Sequence, residues 1–517
     1  MIHSTVKINS PAQHFPALRT RGRFSVFLAA SVLWMPIGTH TAFGQSAAPA
    51  STASAPIQSA PADPAIVAAL KQISPARVHD DIAALVGFGT RLTINSMDKD
   101  LPPGQGVTAA ADWVFAEFQR ISAACGGCLE VKRDDFIEPG STAPLSRVKQ
   151  DTRMQNIYAV LKGTDPAQAG RRVLVTGHYD SRATDVSDTK TAAPGANDDA
   201  SGVAVSLESA RVLSKLKFPS TIVFVAVVGE EQGLNGSRHL AKLARSEGWD
   251  LEAVLNNDIV GGDTTPGLPG QDKGVVRVFS EGVPATATLQ QLRQIQTLGA
   301  ESDSTSRELA RAIAEVDTTY LKSPSGTAFH PVLIFRRDRF LRGGDHTSFN
   351  QEGFPAVRFT EWRENYDHQH QTVRVEDGKQ YGDLIQYVDF SYVANVARLN
   401  AAALATFASA PGEPQSVRIA TGGLDNNTEL LWSAPIGAPA GTSYEVVWRP
   451  AAAPTWTTVL AVKDTTAKLA VSKDNVVFGV RSVDLAGHRS PAVLPLPEPT
   501  AGVRPGGKPY VPVPLKP

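Results

Sequence analysis

Apolar residues recur every three or four positions over 76–86, 108–121, 201–216 and 387–407. That spacing gathers them on one face of a helix. Short β-rich apolar runs lie among them, at 173–176, 221–228, 253–256, 275–279 and 356–360. Strands alternating with helices predict an α/β layer structure, a mixed, largely parallel sheet flanked by helices. After Pro411-Gly412-Glu413-Pro414 the period changes. Leu430 and Trp432 alternate with polar residues, as do Tyr444, Val446 and Trp448, then Val476, Phe478 and Val480. Period two puts one face of each strand into a core, so this part reads as an all-β sandwich.

The ends read differently. Arg19, Arg21 and Arg23 precede an apolar run at 24–38 that Pro36 interrupts, and Thr41-Ala42-Phe43-Gly44 offers a cleavage site. This is the pattern of a secretory signal peptide over residues 1–44. Residues 45–64 are rich in Ala, Pro and Ser and read as a flexible linker. The α/β domain then runs over 65–410 and the sandwich over 412–495, followed by a Pro-rich tail at 496–517. Export implies a periplasmic or extracellular protein in an oxidising compartment. There Cys125-Gly126-Gly127-Cys128 reads as a small structural disulfide, with a redox pair as the alternative.

Composition narrows the function. The chain of 517 residues has 50 Lys+Arg against 51 Asp+Glu, a net charge of −1. That balance lacks the basic footprint of a general nucleic-acid binder. Two cysteines cannot build a disulfide scaffold or a Cys-rich zinc module.

The predicted strands end in an unusual residue set. The run at 173–177 is followed by His178-Tyr179-Asp180, the run at 221–229 by Glu230-Glu231, and the run at 253–257 by Asp258. Ligands bind at the carboxyl ends of strands in open α/β sheets, so these side chains converge on one crevice. Gly195-Ala196-Asn197-Asp198-Asp199-Ala200-Ser201-Gly202 adds a turn that thrusts Asp198 into the same place, with Ser201 as helix N-cap. One imidazole with several carboxylates suits zinc or a similar divalent ion. A surplus carboxylate can bridge two ions, and a second glutamate is free to act as general base.

These segments resemble the M28 zinc peptidases, which include bacterial leucyl-type aminopeptidases. The resemblance rests on Gly177-His178-x-Asp180-Ser181, Gly195-Ala196-x-Asp198-Asp199-Ala200-Ser201-Gly202, Glu230-Glu231-x-Gly233-Leu234-x-Gly236-Ser237, Asn257-Asp258 and Gly344-Asp345-His346-x-x-Phe349. It implies two zinc ions. His178 and Asp258 would hold one, Glu231 and a late histidine the other, and Asp198 would bridge them. Glu230 would be the general base and Asp180 would orient His178 from behind. The late histidine is His370 or His368 in Asp367-His368-Gln369-His370-Gln371-Thr372. His370 is preferred because it stands nearer Thr372, and the other would contact substrate or lie exposed. His346 would position substrate or an oxyanion, or else belong to a helix start at Thr347. Arg336-Arg337-Asp338-Arg339-Phe340-Leu341-Arg342 reads as a substrate-carboxylate clamp or as a solvated loop. His239 reads as structural, and His79 and His330 have no assigned role. The C-terminal alternation, with Asp484-x-x-Gly487-x-x-Ser490, resembles a fibronectin type III domain. Such a module is a spacer or a contact to a surface, a polymer or the catalytic domain itself.

The expected activity is an exported dinuclear zinc aminopeptidase acting on peptides through metal-activated water. The alternatives are a carboxypeptidase, dipeptidase or glutaminyl cyclase of the same fold, or a catalytically silent peptide-binding protein.

Overall fold

The computed structural model describes residues 54–321, 329–423 and 425–498. Strands Leu129–Glu138 (β1), Thr152–Leu161 (β2), Arg171–His178 (β3), Thr221–Val227 (β4), Asp250–Asn257 (β5), Val275–Ser280 (β6), His330–Ile334 (β7) and Ala356–Glu361 (β8) form one eight-stranded sheet. Its order is β1-β2-β4-β3-β5-β8-β6-β7. The central strands β4, β3, β5 and β8 are parallel, while β2 and β6 run against their inner neighbours β4 and β8. The sheet is therefore mixed, with a parallel centre.

Helices Pro75–Val86 (α1), Gly106–Ala124 (α2), Ser201–Leu213 (α3), Asn235–Ser246 (α4), Thr305–Tyr320 (α5) and Phe390–Ser409 (α6) cover both faces. Alternate residues of β3 enter different cores. Val173 and Val175 pack with α1, α2, α3, α5 and α6, whereas Leu174 packs on the side of α4. Burying each such side chain is worth roughly 1.5–3 kcal/mol, and it fixes the strand's register. The predicted helices appear as α1, α2, α3 and α6, and the predicted strands as β3, β4, β5, β6 and β8. The last helix starts at Phe390 because the Asp389 carboxylate accepts the backbone N–H of Ser391 and Tyr392. The edge strand β1 escaped prediction. Its Lys132-Arg133-Asp134-Asp135 stretch shows no apolar alternation, and most of it stays half-buried or exposed.

The C-terminal part consists of strands Gln415–Ile419 (β9), Thr428–Ser433 (β10), Ser443–Pro450 (β11), Thr458–Val462 (β12), Thr466–Leu469 (β13) and Val476–Val483 (β14). They form two four-stranded sheets, one completed by Ala55–Pro56 and the other by Leu496–Pro497. Leu430, Trp432, Tyr444, Val446, Trp448, Phe478 and Val480 share its core, as their alternation predicts.

This sandwich is docked on α5 by buried charge. Arg449 pairs with Asp303, and Arg311, itself paired with Glu308 within α5, donates to the Pro454 carbonyl at 2.8 Å. The Trp456 indole donates to Glu308 Oε2 at 3.1 Å. Arg481 spans the seam, 2.7 Å from Glu315 and 2.7 Å from Glu445.

One correction concerns the linker at 45–64, which is not loose over its described part. Ala55 and Pro56 pair with Val459 and Thr458 of β12. Arg489 donates to the Gln58 carbonyl at 2.8 Å, and the Asp63 N–H donates to the Tyr320 hydroxyl at 3.2 Å. Asp63 then caps the helix Pro64–Leu70. Composition missed this because the partners lie in distant segments. The expected signal peptide at 1–44, the first part of the linker and the expected tail beyond 498 lie outside the described residues. Among the described residues no helix is long and apolar enough to cross a membrane. Cys125 and Cys128 form a disulfide.

Candidate metal centre

The parallel centre of the sheet sends its strand ends to one place. β3 finishes on His178, and β5 is followed by Asp258. After β4, Gly229 takes φ 75°, which glycine adopts without a Cβ clash, and turns the chain into Glu230 and Glu231. Asp198 lies in an irregular turn, Ala196–Ala200, between β3 and α3, and the Asp198–Asp199 peptide is cis. The Asp199 carboxylate accepts the N–H of His178 (3.0 Å), Gly202 (2.9 Å) and Ile259 (3.3 Å). It thereby ties the β3 end, the α3 start and the segment after β5 together. Ser201 is not the cap. It is already helical, and its hydroxyl donates to the Asn197 carbonyl at 2.7 Å.

Two groups of potential ligands share one member. His178, Asp198 and Asp258 form the first, and Asp198, Glu231 and His370 the second, each with ligand atoms within 4.8 Å of one another. His178 Nε2 lies 3.1 Å from Asp198 Oδ1. His370 Nε2 lies 2.9 Å from Asp198 Oδ2 and 3.1 Å from Glu231 Oε1. Each Asp198 oxygen thus faces a different imidazole. Asp258 Oδ2 is buried without a hydrogen-bond partner, and His178 Nε2 and Glu231 Oε1 meet Asp198 and His370 at close range but without a well-aligned hydrogen bond. An unsatisfied buried polar atom costs about 1–3 kcal/mol, more when charged. A divalent cation would satisfy all three, and imidazole with carboxylate oxygen is a zinc donor set.

The electrostatics agree. Burial alone would lower the His370 imidazole, yet Glu231 and Asp198 raise it to about 10. Burial likewise opposes a charged His178, but Asp180 and Asp198 raise it well above its usual value. Burial alone would raise Asp198, but His370 and His178 hold it well below the ordinary carboxylate range. So negative a potential draws protons, and it draws a divalent cation for the same reason. Burial, reinforced by Asp258 and Glu231, pushes the Glu230 carboxyl well above its usual value.

Behind these groups stands a supporting layer. His178 Nδ1 lies 3.1 Å from the Asp180 carbonyl and 3.3 Å from its carboxylate. The same carboxylate accepts the N–H of Glu230 (3.3 Å) and Glu231 (3.2 Å), and the Thr93 hydroxyl (2.8 Å). Asp180 therefore couples the His178 ring to the glutamate turn. Asp383 accepts the N–H of Asn197 (2.9 Å) and Asp198 (2.7 Å). The Arg91 guanidinium, fully buried, donates to the carbonyls of Tyr179 (2.6 Å) and Gly195 (2.9 Å). Arg358 donates to Asp258 Oδ1 at 2.7 Å, and Arg182 Nε lies 3.2 Å from Glu231 Oε2.

The structure separates the two late histidines. His370 joins Asp198 and Glu231. His368 turns its Nδ1 to Asp263 Oδ2 at 2.7 Å and stacks on Tyr387 at 3.9 Å. The segment carrying them is a turn, with His370 at φ 58°, rather than an extended strand. His346 is fully buried and donates from Nε2 to the Arg337 carbonyl at 2.8 Å, so that nitrogen is not offered to a substrate. The helix begins at His346 itself, and the Asp345 side chain makes no cap bond. The arginine-rich stretch is a loop exposed at Arg336, Arg337, Phe340 and Leu341, as one expectation had it, but it is anchored in its middle. Asp338 and Arg339 are buried, and Glu364 takes Arg339 at 2.9 Å and Arg342 at 3.0 Å. His239 stacks on Phe136 at 3.9 Å and pairs with Asp134 at 3.0 Å. His79 packs edge-on against Phe390.

Sequence reasoning missed Asp383, Arg91, Arg182 and Arg358. Arg358 did carry a signal, a lone charge inside the apolar run of β8. Such a charge is buried only when paired.

Comparison with known proteins gives one result. The model of Peptidase family M28 matches residues 156–388. A probable zinc metalloprotease of Leptosphaeria maculans is 43% identical over 434 residues, 84% of this chain and 97% of its own length. Another, of Pyricularia oryzae, is 44% identical over 446 residues, 84% of this chain and 85% of its own length. A solved aminopeptidase of Legionella pneumophila aligns at 20% identity with a TM-score of 0.45, over 66% of this chain and 74% of that one. With a zinc donor set at the ends of its parallel strands and relatives of this kind along most of its length, the chain belongs to peptidase family M28, the zinc metallopeptidases.

Proposed function

We propose that this zinc metallopeptidase is a dinuclear aminopeptidase, exported from the cell, that removes residues from peptide N-termini. The observation that carries the reading is Asp198, whose two oxygens face His178 and His370 at 3.1 and 2.9 Å. A carboxylate so shared suits two ions. His178, Asp198 and Asp258 would hold one, and Asp198, Glu231 and His370 the other. When bound, such ions polarise a carbonyl and make water acidic enough to react near neutrality.

The chain's own residues supply the rest. Glu230, half-buried and raised by its surroundings, takes the proton of the attacking water on its carboxylate and delivers it to the leaving nitrogen. Asp180 and Asp199 keep the His178 ring and backbone in place while this happens. Arg339 and Arg342, the strongest candidates for holding a substrate carboxylate, are already committed to Glu364. This supports attack at the amino end. The disulfide supports export, since such bonds persist in oxidising compartments. The sandwich, docked on α5 with one side, is left its other side for a surface or polymer contact.

The test is a peptide digest read by mass spectrometry, with free, N-acetylated and C-amidated peptides, with and without chelator and added zinc. The expected result is loss of N-terminal residues from free-amine peptides alone, abolished by chelator. Trimming from the carboxyl end, or no turnover with metal present, would sink the reading.

A further inference from the structure

Resting on that assignment of the ligands, we propose that Arg358 is a positioning residue that restricts Asp258 to one metal-facing oxygen. The guanidinium is fully buried on β8 and donates to Asp258 Oδ1 at 2.7 Å. It also reaches the Asp258 backbone carbonyl at 3.3 Å. Asp258 Oδ2 is left buried and without a partner, beside His178 and Asp198. One oxygen is thus spent on the arginine and the other is offered to the metal.

The arginine cannot drift from this pose. Its other terminal nitrogen donates to the Gly343 carbonyl at 3.0 Å and lies 3.5 Å from Asp338 Oδ2. Asp338 is buried too, and it is gripped by Arg339 at 3.0 Å with the His346 ring 3.6 Å away. Gly344 leaves the room this needs. A Cβ there would stand 2.5 Å from the Arg358 guanidinium and 3.3 Å from Asp258 Oδ2. The other terminal carboxylate has a looser version of the same device, with Arg182 Nε 3.2 Å from Glu231 Oε2 and Glu231 Oε1 turned toward His370 Nε2 at 3.1 Å.

The consequence is chemical. A carboxylate that could close on an ion with both oxygens is denied the second one, which keeps a coordination position free for water or the substrate carbonyl. The guanidinium also offsets part of the charge of the crowded carboxylates, so the ion keeps more of its Lewis acidity.

The experiment compares R358M, R358K and D338N with the unaltered protein. Its readouts are zinc content, zinc affinity by chelator competition, the visible spectrum after cobalt(II) substitution, and the kcat–KM split. R358M keeps the arginine's length without its charge. The expected result is two zinc ions held at least as tightly as before. The cobalt bands weaken as the coordination number rises, and kcat falls about 10–100-fold at unchanged KM. R358K restores part of the spectrum and rate, and D338N, which touches no ligand, shifts both the same way by less. If R358M does not fold, D338N decides. An unchanged cobalt spectrum, or loss of one ion, overturns the proposal. An unaltered protein that binds two ions but cleaves no peptide sinks the aminopeptidase reading and leaves this test standing.

Discussion

The crevice and the seam between α5 and the sandwich are built from the same residue types, and both are buried. In the seam, Glu308 has Arg311 and Trp456, Asp303 has Arg449 and Arg311, and Glu445 has Arg481 and Arg489. Each of these carboxylates has a cationic or indole donor. Both regions leave nitrogens without a well-aligned partner, Arg449 Nε and Arg481 Nη2 in the seam and His178 Nε2 in the crevice, but the crevice also leaves carboxylate oxygens so, Glu231 Oε1 and Asp258 Oδ2, and those face shared space. Buried charge alone therefore says little about function. What separates this joint from this site is whether the protein itself pairs the carboxylate oxygens.

The strongest way to break this contrast is E230Q. It keeps the side chain's shape and removes the proton acceptor. Turnover should fall by about 10³, within the usual range for a general base, while zinc content stays as it was. Retained turnover would move the proton chemistry to another residue. R481M attacks the seam instead. Removing one partner leaves Glu315 and Glu445 underpaired, and such losses cost roughly 3–5 kcal/mol. Urea unfolding should show that loss with zinc affinity unchanged. A loss of zinc would mean that seam and crevice are one unit.

A finer comparison lies inside the His368–His370 turn. H370A should lose about one ion per chain. H368A should keep both, because its ring pairs with Asp263 and stacks on Tyr387 rather than meeting a ligand. Zinc analysis of both variants decides it, and equal zinc losses would refute the division of labour.

The smallest effect concerns pH. His488 lies 2.7 Å from Asp484 and 3.5 Å from Asp63. Burial alone would lower its imidazole, but these carboxylates raise it above the ordinary 6.5. A raised folded-state value stabilises fully below 6.5, and the gain is lost as pH rises through the folded value. H488Q should flatten the melting temperature against pH over that window, and an unaltered slope would show that the pair contributes nothing.

How much of this could be read from sequence follows from where each partner sits. His178, Glu230, Glu231 and Asp258 were legible because each ends an apolar run that fixes its place in the sheet. Asp198 was legible from its glycine-flanked turn. The sandwich core was legible from period two. Arg358 and Asp383 were not, because a charged residue acquires meaning only from the group it faces, and those groups are far away in the chain. The tether at 54–63 was hidden for the same reason. Its Ala, Pro and Ser are held by backbone pairing and by Arg489 and Tyr320, and composition records none of that.

The pairing of Ala55 with Val459 has a consequence for the order in which the molecule is made. A ribosome adds about 5–20 residues per second, so the early strand waits roughly 20–80 s for its partner to emerge. The peptidase domain between them can form first, but the seam closes only once the strands of the sandwich have emerged. The N-terminal tether works as a late clasp, and a chain cut short within the sandwich would leave its beginning as well as its end unsecured.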